Sequence, residues 1–71
     1  MQMVTQEQQT NLSRREQQII DKILEGSPNK IIASELFISE RTVKFHCSNI
    51  YRKLQIDNRA TLILKMYKKM Y

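Results

Sequence analysis

Apolar residues recur at every third or fourth position through most of this chain, which is the spacing of amphipathic helices. No segment alternates strictly between apolar and polar residues, as a half-buried strand would. The segments that carry the helical pattern also carry residues that start or stop helices. We therefore predict an all-α domain over residues 12–71. Its four predicted helices cover residues 13–25, 28–36, 40–54 and 59–69.

Residues 1–11 differ from the rest of the chain, because they are rich in glutamine and have no helical apolar period. We expect this segment to be a flexible leader or the stub of a linker. The alternative is an additional helical turn that packs on the domain. The small number of apolar anchors favours the first interpretation.

Local signals support the first two helices. Ser13 and Glu16 have the spacing of a capping box, in which each side chain accepts a hydrogen bond from the backbone of the other residue. Gly26 is the expected end of the first helix. Pro28 suits the first position of the second helix, where its missing N–H costs no hydrogen bond, and Ser27 can cap that helix. The predicted inner faces comprise Ile19, Ile20, Ile23, Leu24, Ile32, Ala33 and Leu36.

The third helix separates its residues into two faces. Ser39 is a good N-cap for it. At about 100° per residue, the apolar side chains share an arc of roughly 60°, and the polar and aromatic ones an opposite arc of roughly 100°. The apolar arc holds Val43, Cys47, Ile50 and Leu54. The opposite arc holds Arg41, Lys44, Phe45, Ser48 and Arg52.

Two short helices joined by a turn of about three residues, the second of them basic, form a helix-turn-helix. One face of the second helix can enter a core while the other lies in a DNA major groove. A charged face on an isolated helix is more often only a solvated face, but the charge distribution changes that balance. Residues 1–40 carry a net charge of −2 and residues 41–71 a net charge of +7, within a total of +5. Such asymmetry indicates a polyanionic partner, with nucleic acid favoured over an anionic membrane.

Characteristic segments cover most of the chain: LSRREQQII, EGSPNKIIASELFISERTVKFH and IYRKLQIDNR. They include RE at 15–16, EG at 25–26, NK at 29–30, the LFIS turn, TVK-x-H at 42–46, KL at 53–54 and NR at 58–59. Over residues 12–67 the chain closely resembles the C-terminal DNA-binding domain of the LuxR/NarL/FixJ family of bacterial regulators, also called GerE-type. The resemblance implies four helices, with the second and third forming the helix-turn-helix and the fourth often used for dimerisation.

Three residues depart from the pattern of that family. Ile31 stands where a charged residue is usual, and Leu62 stands where alanine is common. We expect these two to alter surface packing. Phe45 stands at a variable base-reading position and leaves the target sequence open.

Residue chemistry assigns the surface that would meet DNA. Lys or Arg can donate to guanine O6 and N7, and an aromatic ring can contact a thymine methyl. The predicted base contacts are Arg41, Lys44, Phe45 and Ser48. The first turn of the second helix offers side chains and free N–H groups that can hold a DNA phosphate. The predicted phosphate contacts are Asn29, Lys30, Thr42, Arg52 and Lys53.

The fourth helix, which Asn58 can cap, has apolar residues on more than one side. A helix at the edge of a small domain can bury only one of them. One stripe comprises Leu62, Ile63, Met66 and Met70. The other comprises Ala60, Leu64, Tyr67 and Tyr71, and we predict that it forms a homodimer seam, which could close only on DNA. The alternative is a frayed chain end with scattered exposed apolar side chains.

Other chemistry is not indicated. His46 and Cys47 are the only histidine and cysteine and point to different sides of a helix, so we predict no metal site and no cofactor. The sequence has no glycine-rich phosphate loop and no nucleophile–base pair, which argues against an enzyme. A lone cysteine without a signal peptide or a bilayer-spanning run fits a reducing, intracellular compartment. The resemblance to bacterial regulators implies the bacterial cytoplasm, in association with the nucleoid and not with a membrane.

The leading prediction is a bacterial transcriptional regulator that binds specific double-stranded DNA as a dimer on an operator with two half-sites. RNA polymerase is a further candidate partner. One alternative is the promoter-binding helix-turn-helix of a sigma factor, although the helix after the NR motif argues against it. The other is a helical protein-interaction module that pairs through the last helix and binds DNA weakly.

Overall fold

The computed structural model describes the backbone of residues 11–70 and the side chains of residues 11–68. Within this range the chain forms four helices and no strand, so the predicted all-α fold is confirmed. The helices are α1 (Arg14–Leu24), α2 (Asn29–Leu36), α3 (Glu40–Leu54) and α4 (Arg59–Met70). Each begins and ends within one residue of its predicted bounds. The prediction of a flexible leader lies outside the described residues, except for Asn11.

Hydrogen bonds from side chains fix where three of the helices begin. The predicted capping box of α1 is present, with Ser13 Oγ accepting from the Glu16 N–H at 3.1 Å and Glu16 Oε1 accepting from the Ser13 N–H at 2.9 Å. Ser39 Oγ accepts from the Thr42 N–H at 3.0 Å at the start of α3. At the start of α4, Asn58 Oδ1 accepts from the N–H of the third helical residue at 2.8 Å, so the predicted cap by Asn58 is also confirmed.

Helices α1, α2 and α3 all end in a Schellman motif, in which one residue turns left-handed and the next N–H bonds back to a carbonyl five residues earlier. The left-handed residues are Gly26, Phe37 and Gln55, with φ of 93°, 61° and 58°. The bonds run from Ser27 to Lys22, from Ile38 to Ala33 and from Ile56 to Tyr51, at 3.0, 3.0 and 2.9 Å. Only the first of these turns has the glycine that the conformation favours.

The start of α2 corrects one prediction. Pro28 is the N-cap of the helix and not its first helical residue, and no side chain caps this end. The prediction that Ser27 caps α2 is therefore wrong. The cause is the short connection: the N–H of Ser27 is already used to close α1, which leaves Ser27 one residue too early to cap α2.

The core is built around α3, which packs against both α1 and α2. Its members are Ile19, Ile20, Ile23, Ile32, Ala33, Val43, Cys47, Ile50, Leu54 and Leu62. Leu62 is fully buried, so the expectation that it would alter surface packing is wrong. It is the side chain of α4 that completes the core. Ile31, in contrast, lies on the surface with 43% of its area exposed.

Candidate nucleic-acid interface

The two predicted faces of α3 are confirmed by its burial pattern. Val43, Cys47, Ile50 and Leu54 are buried, so the domain holds the helix by one side along its whole length. The residues that face solvent on the opposite side are Arg41, Lys44, Phe45, Ser48 and Arg52. A rigidly held helix thus presents three cations, a hydroxyl and an aromatic ring on one exposed surface.

The first turn of α3 keeps its hydroxyl groups close together. The side-chain oxygens of Ser39 and Thr42 lie 2.9 Å apart and share one hydrogen bond. Each hydroxyl has a single proton to donate, so one of the two protons stays available for an outside acceptor. The hydroxyls of Ser39 and the half-buried Thr42, at the start of α3, can therefore donate one hydrogen bond to a phosphate oxygen.

The ring of Phe45 is 62% exposed and is held from one side by the neighbouring His46. Their ring centroids are 5.7 Å apart with an interplanar angle of 63°, which is an edge-to-face contact. His46 itself is half buried. The exposed ring of Phe45 therefore packs against the half-buried His46 on one side.

A second cationic region lies at the start of α2. Lys30 is exposed there, and Asn29 is half buried. An open surface depression of about 560 Å³ adjoins both residues. It is lined by Gly26, Pro28, Asn29, Lys30, Glu40 and Arg59. The depression thus brings together the starts of α2, α3 and α4.

Arg59 also lines this depression, although it is not one of the predicted DNA contacts. Its Nη1 donates to Asn29 Oδ1 at 3.2 Å, and its Nη2 donates to the carbonyl of Ser27. One signal was available in the sequence. A cation in the first helical position opposes the helix dipole, so an arginine there needs a reason of its own.

Lys53 is a predicted phosphate contact whose ammonium already has partners within the domain. It donates to Glu16 Oε1 at 2.8 Å and to the Asn11 carbonyl at 3.3 Å. Arg52, one residue earlier, is exposed. The two neighbours at the end of α3 therefore face different surroundings.

The fourth helix has the two apolar sides that its sequence predicts. Leu62 is fully buried on one side, whereas Leu64 is 61% exposed and Tyr67 42% exposed on the other. Ala60 is exposed with them. The side chain of Met70 and the predicted seam residue Tyr71 lie outside the described residues. Within residues 11–68, α4 therefore carries an apolar strip that the domain itself does not cover.

The side chain of Cys47 is buried, whereas that of the neighbouring His46 is half buried. Burial of Cys47 raises the pKa of its thiol above the ordinary value, a shift that the hydrogen bond with Tyr51 only partly opposes. No three His, Cys, Asp or Glu side chains among the described residues lie together in a way that could hold a metal ion. None of the helices formed by residues 11–70 is long and apolar enough to cross a membrane.

The sequence of this chain is similar to those of a known protein family. The family described as "Bacterial regulatory proteins, luxR family" matches residues 10–66. The uncharacterized transcriptional regulatory protein YhcZ of Bacillus subtilis (strain 168) is 47% identical over 53 residues, which cover 75% of this chain and 25% of YhcZ. The chain thus spans about a quarter of the length of that relative.

Two further relatives agree. The spore germination protein GerE of Bacillus subtilis (strain 168) is 38% identical over 55 residues, covering 78% of this chain and 74% of GerE. The low-resolution structure of the response regulator StyR matches with a TM-score of 0.77 and 41% identity, over 90% of this chain and 34% of that one. The chain therefore belongs to the LuxR family of bacterial regulatory proteins and forms a DNA-binding helix-turn-helix domain of that type.

Proposed function

We propose that this domain recognises a specific double-stranded DNA sequence by placing α3 in the major groove, as part of a bacterial transcriptional regulator. The observation that best supports this proposal is that α3 has two faces. It buries four side chains in the core and exposes its basic face to solvent. The relative YhcZ is named as a transcriptional regulatory protein, which supports the same role here. The regulator would act in the bacterial cytoplasm, on the nucleoid.

Base readout is assigned to the exposed face of α3. Arg41 and Lys44 carry N–H donors that fit guanine O6 and N7, and Ser48 offers a hydroxyl one turn further along. Phe45 supplies an apolar surface for a thymine methyl. Its contact with His46 limits the positions of the ring and would sharpen that preference.

Phosphate contacts would fix the position of α3 in the groove. Asn29 and Lys30 lie in the first turn of α2, where free backbone N–H groups also point outward. Thr42 and Arg52 lie near the two ends of α3. Lys53 has three N–H donors, of which two are used within the domain, so we assign it one remaining donor for a phosphate.

The uncovered strip of α4 is assigned to a homodimer. An apolar strip of Ala60, Leu64 and Tyr67 on the surface of a small domain is best covered by an identical strip on a second copy. Two copies would then meet two half-sites of one operator. RNA polymerase is proposed as a further partner of the DNA-bound regulator.

Selection from random duplex DNA, followed by affinity measurements, tests this function. We expect one sequence to be enriched and to bind at least about 1,000-fold more tightly than a scrambled duplex. The affinity should fall steeply between about 50 and 200 mM salt, because released counterions scale with the number of phosphate contacts.

Two other results would replace this function. No enriched sequence together with little salt dependence would favour a protein-interaction module. Sequence-specific binding that appears only when RNA polymerase is present would favour a promoter-binding helix-turn-helix of the sigma type.

A further inference from the structure

Arg59 joins two parts of the chain that are far apart in sequence. It is the first residue of α4, and it reaches back to the start of α2, where it binds Asn29 Oδ1 at 3.2 Å and the Ser27 carbonyl. The guanidinium is partly buried by these contacts. The helix dipole of α4 disfavours a cation in this position, and the two hydrogen bonds offset that cost.

The bond to Asn29 determines which way the amide of that residue points. A guanidinium group has only donors, so it must be met by the carbonyl oxygen of the amide and not by its NH2 group. The Nδ2 group, with two N–H donors, is therefore turned away from Arg59. An asparagine without such a partner could present either end to a ligand.

The surroundings of Asn29 favour an anion on that side. Asn29 is one of the residues that line the open depression, together with Lys30 and Glu40. Lys30 supplies positive charge, and the free N–H groups at the start of α2 add to it. Glu40 is the opposing group, and an anion would have to sit nearer to α2 than to this carboxylate.

We propose that Arg59 is a positioning residue for DNA binding, which holds the amide of Asn29 with its N–H donors turned toward the phosphate backbone. This inference rests on the proposed function, in which Asn29 contacts phosphate. Two of the five N–H donors of Arg59 bind within the domain, and we assign its effect on DNA to Asn29. A direct contact of the remaining donors with phosphate would give an effect that does not depend on Asn29.

A double-mutant cycle tests this coupling. Four proteins are compared on the selected duplex: the parent, Asn29→Ala, Arg59→Lys and the double variant. Arg59→Lys keeps the charge but loses the fork that binds two acceptors at once. Loss of one hydrogen bond to a charged phosphate corresponds to about tenfold in affinity. We expect Arg59→Lys to lose about five- to tenfold in the parent background and less than about twofold beside Asn29→Ala.

Other outcomes of the cycle would overturn the inference. Equal losses in both backgrounds would mean that Arg59 acts independently of Asn29. An unchanged affinity of Arg59→Lys, with a loss only in Arg59→Met, would mean that the charge alone matters. Lys65→Met, which removes an exposed cation of the same helix, is the control for the effect of charge.

A second measurement avoids dependence on how well the Arg59 variants fold. The side-chain NH2 signals of Asn29 in the parent protein should shift when the duplex is added, because they would then donate to phosphate. Unshifted signals would overturn the inference. If the parent binds no duplex at all, the proposed function fails as well, whereas binding without coupling removes only the role of Arg59.

Discussion

The ammonium of Lys53 lies 2.8 Å from the carboxylate of Glu16, which joins the end of α3 to the first turn of α1. The Glu16 side chain is only 5% exposed. Burial by itself raises the pKa of Glu16, but hydrogen bonds from Lys53 and from the Ser13 N–H outweigh it and hold the pKa below its ordinary value. One carboxylate thus caps α1 and ties the end of α3 to it.

The first prediction is a loss of stability in Glu16→Gln. A carboxyl group with a lowered pKa in the folded state stabilises the fold above its unfolded-state pKa, and that stabilisation is lost as the pH falls through the folded-state pKa. Because Lys53 is partly exposed, we expect a cost of about 1–2 kcal/mol at neutral pH. Urea unfolding followed by circular dichroism measures this cost. The difference in the free energy of unfolding between the parent and the variant should become smaller below about pH 4.

Glu35→Gln is the matched control for this prediction. Glu35 pairs with Lys22 at 2.9 Å, but its side chain is 48% exposed. Solvent screens such a pair, so the same chemical change should lower the free energy of unfolding much less than Glu16→Gln does. Equal effects of the two substitutions would show that burial of the carboxylate has no importance.

The second prediction is that Phe37→Gly stabilises the domain. Phe37 has a left-handed φ of 61° and is 93% exposed, so its ring contributes little packing to offset the backbone cost. That cost is about 1–2 kcal/mol for a residue with a Cβ. Glycine removes it but makes the unfolded chain more flexible, which offsets about half of the gain. We expect a net gain of about 0.5–1 kcal/mol in the free energy of unfolding.

Gly26→Ala provides the reciprocal measurement. Gly26 has φ of 93°, and a Cβ there would meet no atom within 4 Å. Its replacement should therefore destabilise through the backbone alone, by about 1 kcal/mol. If Phe37→Gly instead lowers the melting temperature, the ring makes an interaction that outweighs its strained backbone.

Local features of the fold could be predicted from the sequence, because their causes lie within one helical turn. The capping box of Ser13 and Glu16, the cap at Asn58 and the two faces of α3 all follow from spacing alone. The error at Ser27 arose where two helix ends compete for one short connection.

Contacts between distant residues could not be predicted in this way. Lys53 and Glu16 are 37 residues apart, and Arg59 and Asn29 are 30 apart. Both pairs depend on how α1, α2 and α4 pack around α3, and no periodicity in the sequence records that arrangement. The sequence did separate the two apolar stripes of α4 and left the one with Leu64 for a partner, but the full burial of Leu62 depends on that packing.

The third prediction concerns base readout by Lys44. If its ammonium contacts a base, Lys44→Ala should cost about 1–3 kcal/mol on the selected sequence and less on a scrambled duplex. Lys65→Ala removes another exposed cation, from α4, and should affect the binding of both duplexes slightly and alike. Fluorescence anisotropy at fixed salt measures the affinities of the parent and of both variants for the two duplexes. An equal loss on the two duplexes for Lys44→Ala would reassign this residue to phosphate.

The last prediction is that Leu64→Glu breaks the dimer and leaves the fold intact. Leu64 is 61% exposed and lies on the side of α4 opposite the buried Leu62, so a carboxylate there does not enter the core of the monomer. In a dimer seam the same carboxylate would be buried without a partner, which is costly. We therefore expect weaker self-association and an unchanged circular dichroism spectrum.

DNA binding gives the sharper readout for Leu64→Glu. Two linked half-site contacts reinforce each other, so the variant should lose much more affinity for a two-half-site operator than for a single half-site. Thr61→Glu adds the same charge to an exposed position of α4 outside the strip and controls for repulsion between the new carboxylate and DNA. A mobility shift on both DNAs compares the three proteins. If folded Leu64→Glu binds the full operator as tightly as the parent does, the strip formed by Ala60, Leu64 and Tyr67 is not the dimer seam.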